Sequence, residues 1–255
     1  MNIFVLPDVQ ARPGDDFSFL SAIGSYIVDK KPNVIVCIGD FADMASLSSY
    51  DKGKKSFEGR RYKKDIEAAK EAMDYLLGPL RSYNQLRKAQ KKVGYHPRLI
   101  MCLGNHEHRI KRAIEDDPML DGALSIFDLG YHDAGWEVYD FLELVSVNGI
   151  VFCHYFTSGI MGRPIGTAQL MLNKKHMSCF AGHQQGRNIA YGLRADGKEM
   201  TAIISGSCYK HSEPYLNPQT NNHWRGAWML FDVNDGSFDE LPLSLKYLEN
   251  RYRKV

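Results

Sequence analysis

Two short, uninterrupted apolar runs, each ending on glycine and then turning abruptly polar, restrict most strongly what this chain can fold into. Val34-Ile35-Val36-Cys37-Ile38 gives way to Gly39-Asp40, and Leu99-Ile100-Met101-Cys102-Leu103 to Gly104-Asn105-His106-Glu107. A strand without polar alternation is buried on both faces, so the sheet holding it must be covered on both sides, as parallel sheets in α/β folds are. Glycine permits a sharp exit from the strand, and the amide, imidazole and carboxylates that follow would be costly in a core with nothing to bond. Such residues belong in a cleft at the sheet edge.

Other segments share this design. Asn2 to Leu6 reads as a buried strand broken by Pro7 and followed by Asp8-Val9-Gln10. Ile150 to Cys153 ends in His154, and Ser178-Cys179-Phe180-Ala181 delivers Gly182-His183-Gln184-Gln185. Phe17, Leu20, Ile23 and Ile27 recur at helical spacing behind Asp15-Asp16 and stop at Lys30-Lys31-Pro32. A strand, helix and strand of this kind cross over right-handedly, which places Asp8 and Asp40 on one edge. Later the texture turns antiparallel. Asn148-Gly149 predicts a hairpin between Leu142–Val147 and Ile150–His154, Ala195-Asp196-Gly197 a turn between two strands, and Asn234-Asp235-Gly236 a late hairpin. Thr157 to Pro164 reads as a flexible loop, Gln169 to Lys175 as a helix, and Glu249 to Lys254 as a surface tail.

Charge concentrates between Lys52 and Lys92. Lys52, Lys54, Lys55, Arg60, Arg61, Lys63 and Lys64 make a basic loop relieved by Asp51 and Glu58. A helix from Asp65 and a second after Gly78-Pro79, with Arg81, Arg87, Lys88, Lys91 and Lys92, predict a helical hairpin within about 44–97. These charges are either solvated faces or a rim that guides a polyanion. The net charge of +2 does not by itself mark a nucleic-acid protein. With 255 residues, 44% of them hydrophobic, a single domain over 1–255 is expected. No stretch reaches a membrane span and the chain enters at once into a strand, so a cytoplasmic protein with no membrane partner is expected. The five cysteines lack a Cys-x-x-Cys pair and are expected to be buried, reduced thiols.

Asp8, Asp40, Asn105, His154 and His183 thus stand at five strand ends. Oxygen and imidazole donors of this mixture suit a divalent transition metal. The order Asp-x-x, Gly-Asp-x-x-Asp, Gly-Asn-His-Glu, His and Gly-His-x-x, running from residue 8 to residue 185, closely resembles the calcineurin-like metallophosphoesterase superfamily. The resemblance implies an α/β fold, a four-layer α/β/β/α sandwich of two mixed sheets with flanking helices, and a dinuclear site at the strand ends. It also implies roles. Asp40 resembles the bridging carboxylate, Asn105, His154 and His183 the remaining ligands of one metal, and Asp8 a ligand of the other. His106 resembles the histidine that contacts the phosphate and protonates the leaving oxygen, and Asp43 its orienting carboxylate. Arg109 is a candidate phosphate contact.

Three positions depart from that pattern. Gln10 and Gln185 stand where histidines are usual, and both belong to the metal that Asp8 holds; Tyr155 stands where glycine commonly follows the histidine and is expected to narrow the cleft. An amide oxygen is neutral and a harder, weaker ligand than imidazole, so this half-site should favour manganese or magnesium over zinc. Some bacteriophage-borne members are similar in carrying Asp-x-Gln. One or two divalent ions are expected, manganese first, with magnesium, iron or zinc as alternatives. The implied activity is hydrolysis of phosphate mono- or diesters, with DNA or RNA as the first substrate class; a small-nucleotide phosphatase or cyclic phosphodiesterase, or an inactive binding scaffold, are the alternatives. Singly, each ligand also has a structural explanation as a cap, a turn or a core histidine. His96, His132, His176, His211 and His223 are read as structural, and Trp224, Trp228 and Tyr215 as packing residues.

Overall fold

A computed structural model describes residues 1–49, 53–212 and 223–252. Asp51 and Lys52 of the basic segment, Tyr215 and Lys254 lie outside the described residues. Chain order gives β1 (Ile3–Leu6), α1 (Ser18–Lys30), β2 (Val34–Cys37), α2 (Tyr62–Ala89), β3 (Arg98–Cys102), α3 (His108–Asp116) and β4 (Glu137–Tyr139). Then come β5 (Val145–Val147), β6 (Ile150–Cys153), β7 (Thr157–Ser158), β8 (Arg163–Pro164), α4 (Ala168–Lys175), β9 (Cys179–Ala181), β10 (Arg187–Leu193) and β11 (Glu199–Ser205). β12 (Gly226–Asn234), β13 (Ser237–Ser244) and α5 (Leu245–Tyr252) close the series.

The strands form two mixed sheets. The first is ordered β13-β12-β1-β2-β3-β4, with β1 to β4 parallel and β12 antiparallel to β1; the second is ordered β10-β11-β9-β6-β5, with β6, β9 and β11 parallel. Strand alternation explains why β1 and β2 carry no polar residue. Ile3, Val5, Val34 and Val36 point into the layer between the sheets with Phe152, Phe180 and Trp228, whereas Phe4, Leu6, Ile35 and Cys37 point to the layer under α1 and α2. α4 covers the outer face of the second sheet. The result is the expected four-layer sandwich. All five cysteines are free and buried.

Three local expectations need correction. The helical hairpin is a single 28-residue helix, α2, which continues through Pro79. Proline removes the donor that would have bonded the Tyr75 carbonyl, and Ser21 Oγ of α1 donates to that carbonyl instead at 3.3 Å. Gly24 allows the approach, since a Cβ there would lie 2.2 Å from the Leu76 carbonyl oxygen. Thr157 to Pro164 is a small two-stranded ladder, β7–β8. The terminal segment is helical through Tyr252, because Leu248 is buried beneath it and Tyr252 Oη donates to Asp29 at 2.7 Å. The helix also splits the basic rim: Lys64 and Lys88 are separated by about 36 Å along α2 at 1.5 Å per residue.

Candidate active site

The segments leaving β1, β2, β3, β6 and β9 are laced together. Gln10 N donates to Asp40 O and Ala11 N to Phe41 O, both at 2.8 Å; Asp43 N donates to Ala11 O at 3.1 Å; Gly182 N donates to His154 O at 2.9 Å. Gln10, Asp40 and His183 adopt left-handed backbone with φ of 47°, 50° and 67°. Such conformations cost of order 1–3 kcal/mol each and persist where the surroundings impose them, often at functional sites. Gly104 is required by this crowding, because a Cβ there would sit 2.1 Å from Asp40 Oδ1.

The main tie is Glu107, which the sequence reading passed over as a site residue. Its fully buried carboxylate accepts from Asp40 N (3.0 Å) and Gly104 N (2.9 Å) through Oε2, and from Ala42 N (2.9 Å) and Tyr131 Oη (3.2 Å) through Oε1. One side chain therefore clamps the loop after β2 to the loop after β3. The sequence offers one hint, since a carboxylate four residues past the apolar run 99–103 needs several donors once buried, but it does not show that those donors come from another strand end.

Two sets of donor atoms meet at these loops. In the first, Asn105 Oδ1 lies 2.9 Å from His154 Nε2 and 2.8 Å from His183 Nδ1, and Asp40 Oδ2 lies 3.4 Å from His154 Nε2. Asp40, His154 and His183 offer ligand atoms all within 4.8 Å of one another. Adjacent ligands around an ion bound at about 2.1 Å are spaced by about 3 Å, so this set has the dimensions of a coordination shell. His154 Nδ1 lies 2.9 Å from the Ile38 carbonyl, to which it donates, so Nε2 is the ring atom turned toward the two oxygens and the one able to ligate an ion when the ring is neutral. In the second set, Asp8 Oδ2, Gln10 Oε1 and Gln185 Oε1 are buried acceptors with no hydrogen-bond partner. Gln10 and Gln185 line the same cavity as Asp40, the charge of Asp40 acts on Asp8, and His183 N donates to Asp8 Oδ1 at 3.2 Å, so bare oxygens of the kind that suits a hard divalent cation lie around the first set.

Burial and neighbouring charges pull these groups apart. Burial, reinforced by Asp40, raises the Asp8 carboxyl to about 7 against the opposing pull of His154. Asp40 is as deeply buried, yet the imidazoles of His106 and His154 outweigh desolvation and hold it well below the usual carboxylate range. Against burial, Asp40 also raises His154 to about 9, while burial and His154 lower His183 to about 4.

His106 stands next to the donors. Its Nδ1 lies 2.7 Å from Asp43 Oδ1, at ion-pair distance although the ring N–H does not point along that line, and its Nε2 lies 3.6 Å from Asp40 Oδ2. Asp43 is held by Arg12 Nε at 2.5 Å, and Arg109 donates to the Asp43 carbonyl at 2.7 Å. Burial favours neutral Asp43, but His106, Arg12 and Arg109 prevail and keep it ionised. Burial likewise opposes a charge on His106, yet Asp40 and Asp43 raise its pKa. Arg12 was missed in the sequence because nothing there marked the loop after β1 as the neighbour of Asp43.

A cavity of about 950 Å³ opens over this site, lined by Gln10, Asp40, Asn105, His106, His183 and Gln185, by Lys54, Arg60, Arg61 and Lys64 together with Glu58 and Asp65, and by Arg12, Asp43 and Arg109. Arg109 is thus placed to reach a ligand, although its guanidinium already serves the Asp43–Met44 backbone. Tyr155 does not line the cavity; its ring packs 4.8 Å from that of His183 and 5.5 Å from that of Phe141. His132 stacks on Phe127 and His211 on Tyr209, and none of His96, His132, His176, His211 and His223 joins the donor cluster among the described residues. Trp228 is fully buried, and its Nε1 donates to Ser205 O at 2.9 Å.

Comparison with known proteins finds a family match. The family profile described as calcineurin-like phosphoesterase matches residues 1–206, which include every donor above. Over 107 residues the chain is 36% identical to the gene 54 proteins of Mycobacterium phages L5 and D29, an alignment covering 42% of this chain and 36% of each relative. The chain therefore spans about a third of the length of these curated relatives. Among solved structures, the E. coli phosphoesterase Yfce aligns with 96% of this chain and 100% of its own at 12% identity, with a TM-score of 0.36.

Proposed function

We propose a function from one premise: this chain belongs to the calcineurin-like phosphoesterase family. It acts as a metal-dependent hydrolase of phosphate esters, with the reaction in the cavity at the strand ends. The observation that supports this most is the pairing of a nitrogen-and-oxygen donor cluster with three buried, unpartnered oxygens beside it.

Divalent cations bound there would neutralise charge on the phosphoryl oxygens and acidify an attacking water. Asp40, Asn105, His154 and His183 would hold one ion; Asp8, Gln10 and Gln185, with Asp40 shared, would hold the other. Two amide oxygens and carboxylates bind softer metals poorly, so manganese or magnesium is proposed for the second position. His106, its proton favoured by Asp40 and Asp43, donates it to the departing oxygen. Asp43 orients that imidazole, and Arg12 and Arg109 orient Asp43.

For the substrate, a phosphodiester of nucleic acid is the first reading, because the cavity is large and carries a cationic wall. A small nucleotide is the second reading, since the basic residues at the far end of α2 stand too far away to share in one track. Turnover of an aryl phosphate and of single-stranded DNA with manganese, before and after chelation, tests the proposal. His106→Ala should lose at least a hundredfold in kcat while still binding manganese; undiminished turnover would remove His106 from the mechanism.

A further inference from the structure

The cations on the cavity wall are not equivalent. Arg12 and Arg109 serve Asp43, and Arg60 is tied down by donating Nη1 to the Ala45 carbonyl at 3.0 Å. Arg61 and Lys64 differ: both are exposed, both line the cavity, and among the described residues neither has a carboxylate partner. Arg61 makes only a 2.7 Å bond to the neighbouring Arg60 carbonyl. Two carboxylates share the lining: Asp65 is buried and accepts from Ser46 N at 2.8 Å, and exposed Glu58 makes no ion pair with either cation among the described residues.

The cavity is also far larger than the reaction requires. A transferred phosphoryl group with its attacking oxygen has five heavy atoms, whereas about 950 Å³ is enough for a drug-sized ligand. The donor residues and these two cations line the same cavity, so a substrate filling the space would have its reacting phosphate at the first and the rest of its body within reach of the second.

The geometry points to a second phosphate-binding subsite formed by Arg61 and Lys64, which selects phosphate esters carrying another phosphate beside the one hydrolysed. This rests on the phosphoesterase reading of the cavity. Both cations are exposed and stand outside the donor cluster, so their contribution is selectivity among esters rather than chemistry. A neighbouring phosphate occurs both along a nucleic-acid backbone and in a free nucleoside polyphosphate, and the same contacts would recognise either.

The test uses the full chain loaded with manganese and a matched pair of substrates, the p-nitrophenyl ester of thymidine 5′-phosphate with and without a 3′-phosphate. In the wild type the 3′-phosphate should raise kcat/KM by about tenfold, as two exposed ion pairs would. Arg61→Ala/Lys64→Ala should abolish that ratio, and Arg61→Lys/Lys64→Arg should restore most of it, which a folding defect would not. A ratio near one in the wild type, or one that survives in the double alanine variant, would overturn the subsite. Failure of every ester to turn over would instead overturn the phosphoesterase reading itself. Oligothymidylate and thymidine triphosphate then separate the two sources: a steep salt dependence with the oligomer identifies a backbone, and faster turnover of the triphosphate a free nucleotide.

Discussion

Replacing Glu107 by glutamine tests whether one buried carboxylate holds the site together. All four groups that Glu107 faces are donors or can be: the amides of Asp40, Ala42 and Gly104 and the hydroxyl of Tyr131. An ionised carboxylate, which only accepts, matches them, although burial and Asp40 raise the Glu107 pKa against these bonds. Glutamine keeps the shape but turns one oxygen into an NH₂. Placed at the Oε1 position, the amide preserves the two bonds of Oε2, and the Tyr131 hydroxyl can turn to accept. The Ala42 amide then faces a donor and is left buried without a partner, at a cost of about 1–3 kcal/mol. For a domain of this size each kcal/mol lowers Tm by about 2–4 °C, so Glu107→Gln should melt roughly 2–12 °C below the wild type. Since Asp40 N is one of the clamped groups, manganese affinity should fall as well. Differential scanning calorimetry of the metal-free protein and a manganese titration of both proteins measure the two effects. Equal Tm and equal affinity would show that the carboxyl already sits there as a neutral acid and does not clamp the loops.

Two further perturbations address other parts of the account. Gln10→His should convert the oxygen-only donor set into one with nitrogen, raising its zinc affinity by tenfold or more in a competition titration against manganese; unchanged competition would place Gln10 outside the site. Gly24→Ala should cost at least 1–3 kcal/mol in urea unfolding, because the added methyl would meet the Leu76 carbonyl at 2.2 Å where α1 crosses α2; a neutral effect would mean that the helices can separate freely.

Much of this architecture could be read from residue order because strand burial leaves an unambiguous mark. Val34 to Ile38 is apolar throughout, and it is covered on both faces as that pattern requires. The strand ends Asp40, Asn105, His154 and His183 were legible for the same reason, since each follows a buried run that cannot itself hold a polar group. Pro79 misled, because its usual effect of breaking a helix is countered by a hydroxyl on another helix, Ser21, fifty-four residues from the Tyr75 carbonyl that it bonds. Glu107 and Arg12 were hidden for a related reason. Their partners, the amides of Asp40 and Ala42 and the carboxylate of Asp43, come from a different strand end. The basic segment looked continuous in sequence, but a rigid helix carries its two ends far apart.

Calorimetric titration of manganese into the metal-free chain and its Asp40→Ala variant tests most directly whether strand-end residues form a two-ion site that shares Asp40. The account predicts two ions per chain of unequal affinity in the wild type, and loss of the tighter one, with strong weakening of the other, in a variant that keeps its circular dichroism spectrum. Unaltered stoichiometry and affinity in the folded variant would contradict it.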